Sequence, residues 1–212
     1  MQVQVLNCTK DPLDTISLAA GTCYGKTDIS VKRVHNCIVS GHMSVLEHAS
    51  VTFKVEGISR ACSHQLVRHR LASYSQESQR YCKYDIDSTN DDWYVTPPIV
   101  ERCPRLKEWY DERMKVFAGA YMNMLLKDAE MKPEDARYLL PEAMKTTIVV
   151  TMNARELFHF FDLRQSKRSQ WEIRELATEM EEKLSQIPGW KLLLEFRKEA
   201  IEERNKMQKL SF

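Results

Sequence analysis

Apolar and polar positions alternate at the start of the chain, from Val3 to Leu6, and predict a first strand. Asp11-Pro12 then opens a helical pattern through Leu13, Ile16 and Leu18 that stops at Gly21. Val31, Val34, Cys37, Ile38 and Val39 recur at helical spacing within Ile29 to Ser40, with Gly41 as the C-terminal stop. From Ala49 to Val55 the apolar residues Val51, Phe53 and Val55 alternate again, predicting a strand that leads into a short helix, capped by Ser59 and running to about His69. Leu71 to Tyr81 is rich in hydroxyls and amides and reads as extended or looped.

Cys82 to Pro98 is polar and broken, with a turn or mobile loop at Ser88 to Asp92 and a short strand at Trp93-Tyr94-Val95. Pro104 opens a long helix to about Lys127, whose Leu106, Trp109, Tyr110, Met114, Phe117, Ala118, Tyr121, Met122 and Leu125 form a stripe suited to a core or a subunit interface. Pro133 starts a short helix that carries Arg137 and ends before Pro141. Thr146 to Met152 is β-branched and apolar, the pattern of a buried strand. Asn153 caps the next helix, with Arg155 and His159 on one face and Leu157, Phe158, Phe160, Phe161 and Leu163 turned to the core; Arg164 closes it. Two charged amphipathic helices follow, Gln170 to Leu184 and Trp190 to Leu210.

At 212 residues, 43% hydrophobic and 29% charged, the chain fits one soluble domain spanning 1–212. No run approaches the about 18 apolar residues of a membrane span, Met1-Gln2-Val3 begins neither a signal nor a transit peptide, and a cytoplasmic location is expected. The six cysteines form no CxxC pair, so reduced structural thiols are expected, Cys62 and Cys82 beside the basic stretch included. His42, Glu47 and His48 do not have HExxH spacing and no metal is expected.

Net charge is only +1, yet Ser59 to Tyr81 gathers Arg60, His64, Arg68, His69, Arg70 and Arg80 against a single acid, Glu77. A local excess of cation in a balanced protein points to a bound anion. Two readings follow from charge alone: a phosphate site in which Ser73, Ser75, Ser78 and Arg80 present hydroxyls and a guanidinium fork, or a basic face that binds nucleic acid. Against the second, aromatic residues are not interleaved with the arginines, and a pI near 7.6 lacks a global excess of base. Ser78 has no His or acid placed by sequence to activate it, so it reads as a phosphate ligand and not a nucleophile.

The string Arg68-His69-Arg70, Ser73, Ser78, Arg80 resembles the RHRxxSxxxxSxR signature of the flavin-dependent thymidylate synthases. Around it, Gly41-His42, Leu46-Glu47-His48, Phe53 and Gly57-Ile58-Ser59-Arg60 upstream resemble the same family. So do Ala136 to Pro141, Thr151 to Arg155, His159-Phe160, Leu163-Arg164 and Gln170 to Arg174 downstream. The resemblance implies an α+β fold with a central, mostly antiparallel sheet flanked by long helices, assembled as a homotetramer with FAD sites between subunits. It implies reductive methylation of dUMP to dTMP, with 5,10-methylenetetrahydrofolate as one-carbon donor, tetrahydrofolate as product, and NADPH reducing a tightly bound FAD. It places Gln65, Arg68, Gln76, Ser78, Gln79, Arg80, Arg137 and Arg164 on dUMP, with Arg164 catalytic. It places Ser44, Arg68, His69, Arg70, Gln76, Asn153, Arg155 and His159 on FAD. The chain has no GxGxxG for the pyrophosphate, so arginine and histidine side chains must hold it. A folate site near His42 is a further expectation. The sequence departs from the family at Ser75, where Asn is common, and at Arg168-Ser169, where His-Ala is common. A relative retained only for assembly is the remaining alternative.

Overall fold

The computed structural model describes residues 1–84, 86, 91–127 and 130–210, without the side chains of 208–210. The expected turn at Ser88 to Asp92 lies mostly outside the described residues. In chain order the elements are β1 (Gln2–Cys8), α1 (Pro12–Thr22), α2 (Val31–Val39), a 3-10 helix (Met43–His48), β2 (Ser50–Ser59), α3 (Arg60–Leu66) and β3 (Ala72–Gln76). There follow α4 (Pro98–Glu101), α5 (Pro104–Lys127), α6 (Pro133–Ala136), a 3-10 turn (Arg137–Leu139), β4 (Lys145–Asn153), α7 (Ala154–Arg164), α8 (Trp171–Ser185) and α9 (Pro188–Leu210). The strands form one sheet in the order β1-β2-β4-β3. It is antiparallel: the residue after β1 donates to the start of β2 (Thr9 N to Ser50 O, 2.9 Å) and the residue after β3 to the start of β4 (Glu77 N to Thr147 O, 2.9 Å). Between β2 and β4, Arg60 N bonds Met144 O at 3.0 Å and Ala154 N bonds Ala49 O at 2.8 Å, so opposite ends of the two strands meet.

The chain divides into two compact units, and β1, β2, β3 and β4 contribute residues to both. One unit comprises residues 1–2, 55–66 and 75–148. In it Ser59 Oγ accepts from Cys62 N at 2.9 Å and so caps α3. That helix ends at Leu66, three residues before the expected His69, because the chain must become extended for β3. Ile86, Ala118, Tyr121 and Ala136 make a local core packed by Tyr84, Trp93, Met122, Leu125 and Leu140. The expected strand at Trp93-Tyr94-Val95 is a single bridge between Tyr94 and Met144. On α5 only Met114, Ala118 and Tyr121 are buried, whereas Leu106, Trp109, Val116 and Phe117 are exposed, so much of the apolar stripe faces outward.

The other unit comprises residues 3–54, 67–74 and 149–212. Its core is Ile16, Val34, Ile38, Leu46, Phe53, Leu157, Phe160, Phe161, Leu176, Met180 and Trp190. The Trp190 indole N–H is satisfied by Thr9 O at 3.1 Å, which ties the start of α9 to the end of β1. Arg197, buried on α9, is neutralised by Asp162 at 2.7 Å and Glu181 at 3.0 Å, as a buried cation requires. Gly41 has φ of +77° and closes α2 in the left-handed region, as its place after the periodic stretch predicts. Asn153 Oδ1 accepts from Glu156 N at 2.9 Å, the expected cap of α7. Leu163, expected in the core, is exposed. Among the described residues no helix is long and apolar enough to cross a membrane.

Candidate functional site

Each unit contains a concave basic site. In the first, a cavity of about 500 Å³ is lined by Arg60, His64, Gln76 to Arg80, Arg137, Tyr138, Leu140, Pro141 and Glu142. The chain leaves β3 after Gln76 and turns at Ser78, whose Oγ accepts from Arg80 N at 3.2 Å and keeps its own proton to donate. One residue of α6 anchors both of the pocket's downstream arginines. Glu134 takes Arg80 Nε on its carboxylate at 2.8 Å and Arg137 Nε on its backbone oxygen at 3.0 Å. Both anchors use Nε and leave the Nη fork, the end suited to two phosphate oxygens. The Arg80 hydrogen bond and charge hold the Glu134 carboxyl below its ordinary range. Gln76 donates to Ser63 Oγ at 2.9 Å and Thr146 Oγ1 at 3.3 Å, which fixes its amide. Arg60 donates to Glu77 O at 3.0 Å, while its buried Nε has no protein partner. A buried unpaired donor at a pocket wall suits an oxygen-rich ligand.

In the second unit a cavity of about 800 Å³ is lined by Arg68, His69, Arg70, Leu71, Arg155, Glu156, His159, Leu163 and Arg164. Residues Arg68 to Leu71 sit between α3 and β3, and the others lie on α7. The spacing puts 155, 159 and 163 on one face of that helix with 156 beside them, and Arg164 lies in its last turn. Here His69 and Glu156 are both buried, at 3% and 4% exposure, and meet at 3.0 Å between Nδ1 and Oε1. Arg164 Nε donates to the other ring nitrogen, Nε2, at 3.0 Å. Burial first, and the neighbouring Arg164 cation and His159, push the His69 pKa down; the hydrogen bond and charge of Glu156 act in the opposite sense. His69 is therefore neutral near pH 7. Tyr74 Oη donates to His69 O at 2.8 Å, and burial pushes that phenol well up. Arg155 pairs with Glu47 of the 3-10 helix.

His69, Glu156 and His159 bring ligand atoms within 4.8 Å of one another. Both ring nitrogens of His69 are already engaged, and the Arg164 cation opposes a second one. The geometry is that of an anion site.

The expected residues thus divide. Gln76, Ser78, Gln79, Arg80 and Arg137 come together in the first cavity; Arg68, His69, Arg70, Arg155, His159 and Arg164 come together in the second. Gln65, whose Nε2 reaches Ala61 O at 3.5 Å, lines neither, nor do Asn153, which caps α7, and the exposed Ser44. The departures at Ser75, Arg168 and Ser169 also line neither; Ser169 Oγ donates to Leu163 O at 2.9 Å. Arg60, Glu77, Glu134, Tyr138, Glu142 and Glu156 were missed as site residues. Arg60 and Glu77 carried a signal as members of the charged stretch, and Tyr138 as part of the family-like segment Ala136 to Pro141. The six cysteines are free thiols, with Cys62 buried as a small hydrophobe.

The model of the thymidylate synthase complementing protein family matches residues 4–188. This chain belongs to that family, the flavin-dependent thymidylate synthases. A flavin-dependent thymidylate synthase of Geobacter sulfurreducens is 46% identical over 191 residues, covering 85% of this chain and 80% of the relative. One from Pyrococcus horikoshii is 40% identical over 210 residues, covering 93% and 85%. Among solved structures, a flavin-dependent thymidylate synthase from Helicobacter pylori complexed with FAD and dUMP aligns with a TM-score of 0.72 at 26% identity, covering 86% of this chain and 93% of that one. A second structure of the Helicobacter pylori enzyme with FAD and dUMP gives 0.76, covering 93% and 100%. The nucleic-acid reading finds no support in these likenesses. Within the family fold, the basic stretch is shared between the units, with 60–66 and 75–81 in one and 67–74 in the other.

A depressed His69 pKa means that the unfolded chain takes up a proton near 6.5 that the folded chain refuses. Stability is therefore lost as pH falls through 6.5. Chemical denaturation should show a steeper loss from about pH 7.5 to 5.5 in the wild type than in His69→Gln; equal slopes would count against a neutral His69.

Proposed function

We propose that this chain methylates dUMP reductively to dTMP, taking the one-carbon unit from 5,10-methylenetetrahydrofolate and electrons from NADPH by way of FAD. The observation that carries the reading is the pair of basic cavities, one built on Ser78, Arg80 and Arg137 and the other on Arg68, Arg70, Arg155 and Arg164. Membership of the flavin-dependent family supports it, and so do the FAD and dUMP bound to the Helicobacter pylori enzyme.

The first cavity is assigned to the nucleotide. Arg80 and Arg137, held at Nε, clamp the phosphate while Ser78 donates its hydroxyl proton and Gln79 its amide. Gln65, Gln76 and Arg68 complete the nucleotide contacts. The second is assigned to the flavin cofactor, with Ser44, Gln76 and Asn153 as further contacts. Its donor set fits a pyrophosphate, since Arg68, Arg70, Arg155 and His159 replace the backbone amides of a glycine-rich loop. When bound, FAD supplies the hydride that reduces the one-carbon unit. The residues contribute binding, orientation and fixed charge. Arg164 lines the flavin cavity and is directed by His69; in the proposed homotetramer, whose FAD sites lie between subunits, it hydrogen-bonds the pyrimidine edge and stabilises negative charge as the ring is activated.

The chain works as one domain and as a homotetramer in the cytoplasm. Exposed Leu106, Trp109, Val116 and Phe117 on α5 support assembly, because such a row on one helix needs a cover. Sedimentation of active protein should give a tetramer; an active monomer would overturn that part.

Turnover tests the rest. FAD-loaded protein given dUMP, methylenetetrahydrofolate and NADPH should release dTMP, and no dTMP under these conditions would overturn the reading. Arg80→Ala, which removes one guanidinium of the phosphate clamp, should raise the dUMP KM about 10- to 100-fold. Arg164→Leu should lower kcat by about 100-fold or more.

A further inference from the structure

We propose that Glu156 is a positioning residue of the reaction, holding His69 in one neutral tautomer so that the ring in turn aims the Arg164 guanidinium. The inference rests on the reading of Arg164 given above. An arginine can only donate. With Arg164 Nε 3.0 Å from His69 Nε2, that nitrogen must be the acceptor, so the ring proton resides on Nδ1 and is donated to Glu156 Oε1 at 3.0 Å. The other tautomer would set an N–H against a guanidinium N–H and leave the carboxylate facing a lone pair.

Glu156 is itself held from both sides. It occupies the first turn of α7, where the helix dipole favours a carboxylate, and its backbone N–H is taken by the Asn153 side chain at 2.9 Å. The His69 side chain is 2% exposed and packs edge-on against Phe160 with centroids 4.9 Å apart, so the ring has little room to turn. Two residues of α7 and one from the stretch between α3 and β3 thus form a directed series, Glu156 accepting from His69 and His69 accepting from Arg164. A carboxylate placed behind a working imidazole is the standard means of choosing its tautomer.

A merely structural Glu156 would stabilise the fold without touching turnover, so stability and rate have to be read separately. Nitrogen-15 spectra of histidine-labelled wild-type protein without ligands, at about pH 7.5, should show His69 neutral with the proton on Nδ1. A proton on Nε2, or on both nitrogens, would overturn the proposal whatever the variants do. In turnover, Glu156→Gln keeps the volume but replaces an acceptor-only carboxylate with a neutral amide that can donate as well as accept and so no longer fixes the tautomer, and should lower kcat about 10- to 100-fold with the dUMP KM changed by less than about threefold. Active wild type with an unaffected Glu156→Gln kcat would overturn this proposal alone. An inactive wild type would overturn the reading beneath it as well.

Discussion

Like charges must be held close together before any ligand neutralises them, and the structure answers that constraint with very few acids. Glu156 takes the buried His69, Glu134 takes Arg80 with its carboxylate and Arg137 with its carbonyl, and Glu47 takes Arg155. Glu134 and Glu47 leave part of each arginine they hold for an incoming anion, whereas Glu156 fixes the neutral His69, whose other ring nitrogen takes Arg164. Full neutralisation would have filled the sites with protein. A lack of acids would have let the long side chains wander, at a cost in rotamer entropy of up to about 2 kcal/mol for each one ordered on binding. The secondary structure serves the same end. The 3-10 helix supplies Glu47, α6 supplies Glu134 and the first turn of α7 supplies Glu156.

The local pattern made much of the fold legible. Pro104 and Lys127 bound α5 as the apolar stripe implies, Asn153 caps α7, Ser59 caps α3, and β4 buries Thr146, Ile148, Val150 and Met152. These features depend on residues within a few positions of one another, where period and capping chemistry operate. The motif was legible for the same reason, being one continuous stretch. What was hidden is non-local. His69 finds Glu156 at a separation of 87 residues, Arg164 finds His69 at 95 and Arg80 finds Glu134 at 54. No spacing rule reaches that far, so the pairings that organise the sites were invisible while the bases were conspicuous.

Two departures from the pattern share a physical origin. Leu163 and the outward residues of α5 satisfy the periodicity of a core helix, yet they are exposed. Leu163 lines the second cavity, where an apolar wall beside the arginines suits a ring system that also carries phosphates. Periodicity reports that a face is apolar and says nothing of what covers it, which under the proposed function is a ligand in one case and a second subunit in the other. The early end of α3 is similar in kind. Helical propensity continues to His69, but the strand that follows takes the backbone first.

The most direct test is the visible absorption of the protein after incubation with FAD and gel filtration, followed by titration with dUMP. The two-cavity account predicts a retained flavin whose spectrum shifts as the nucleotide binds, because the proposed hydride transfer requires the two ligands in contact. A protein that emerges colourless after exposure to FAD would contradict it.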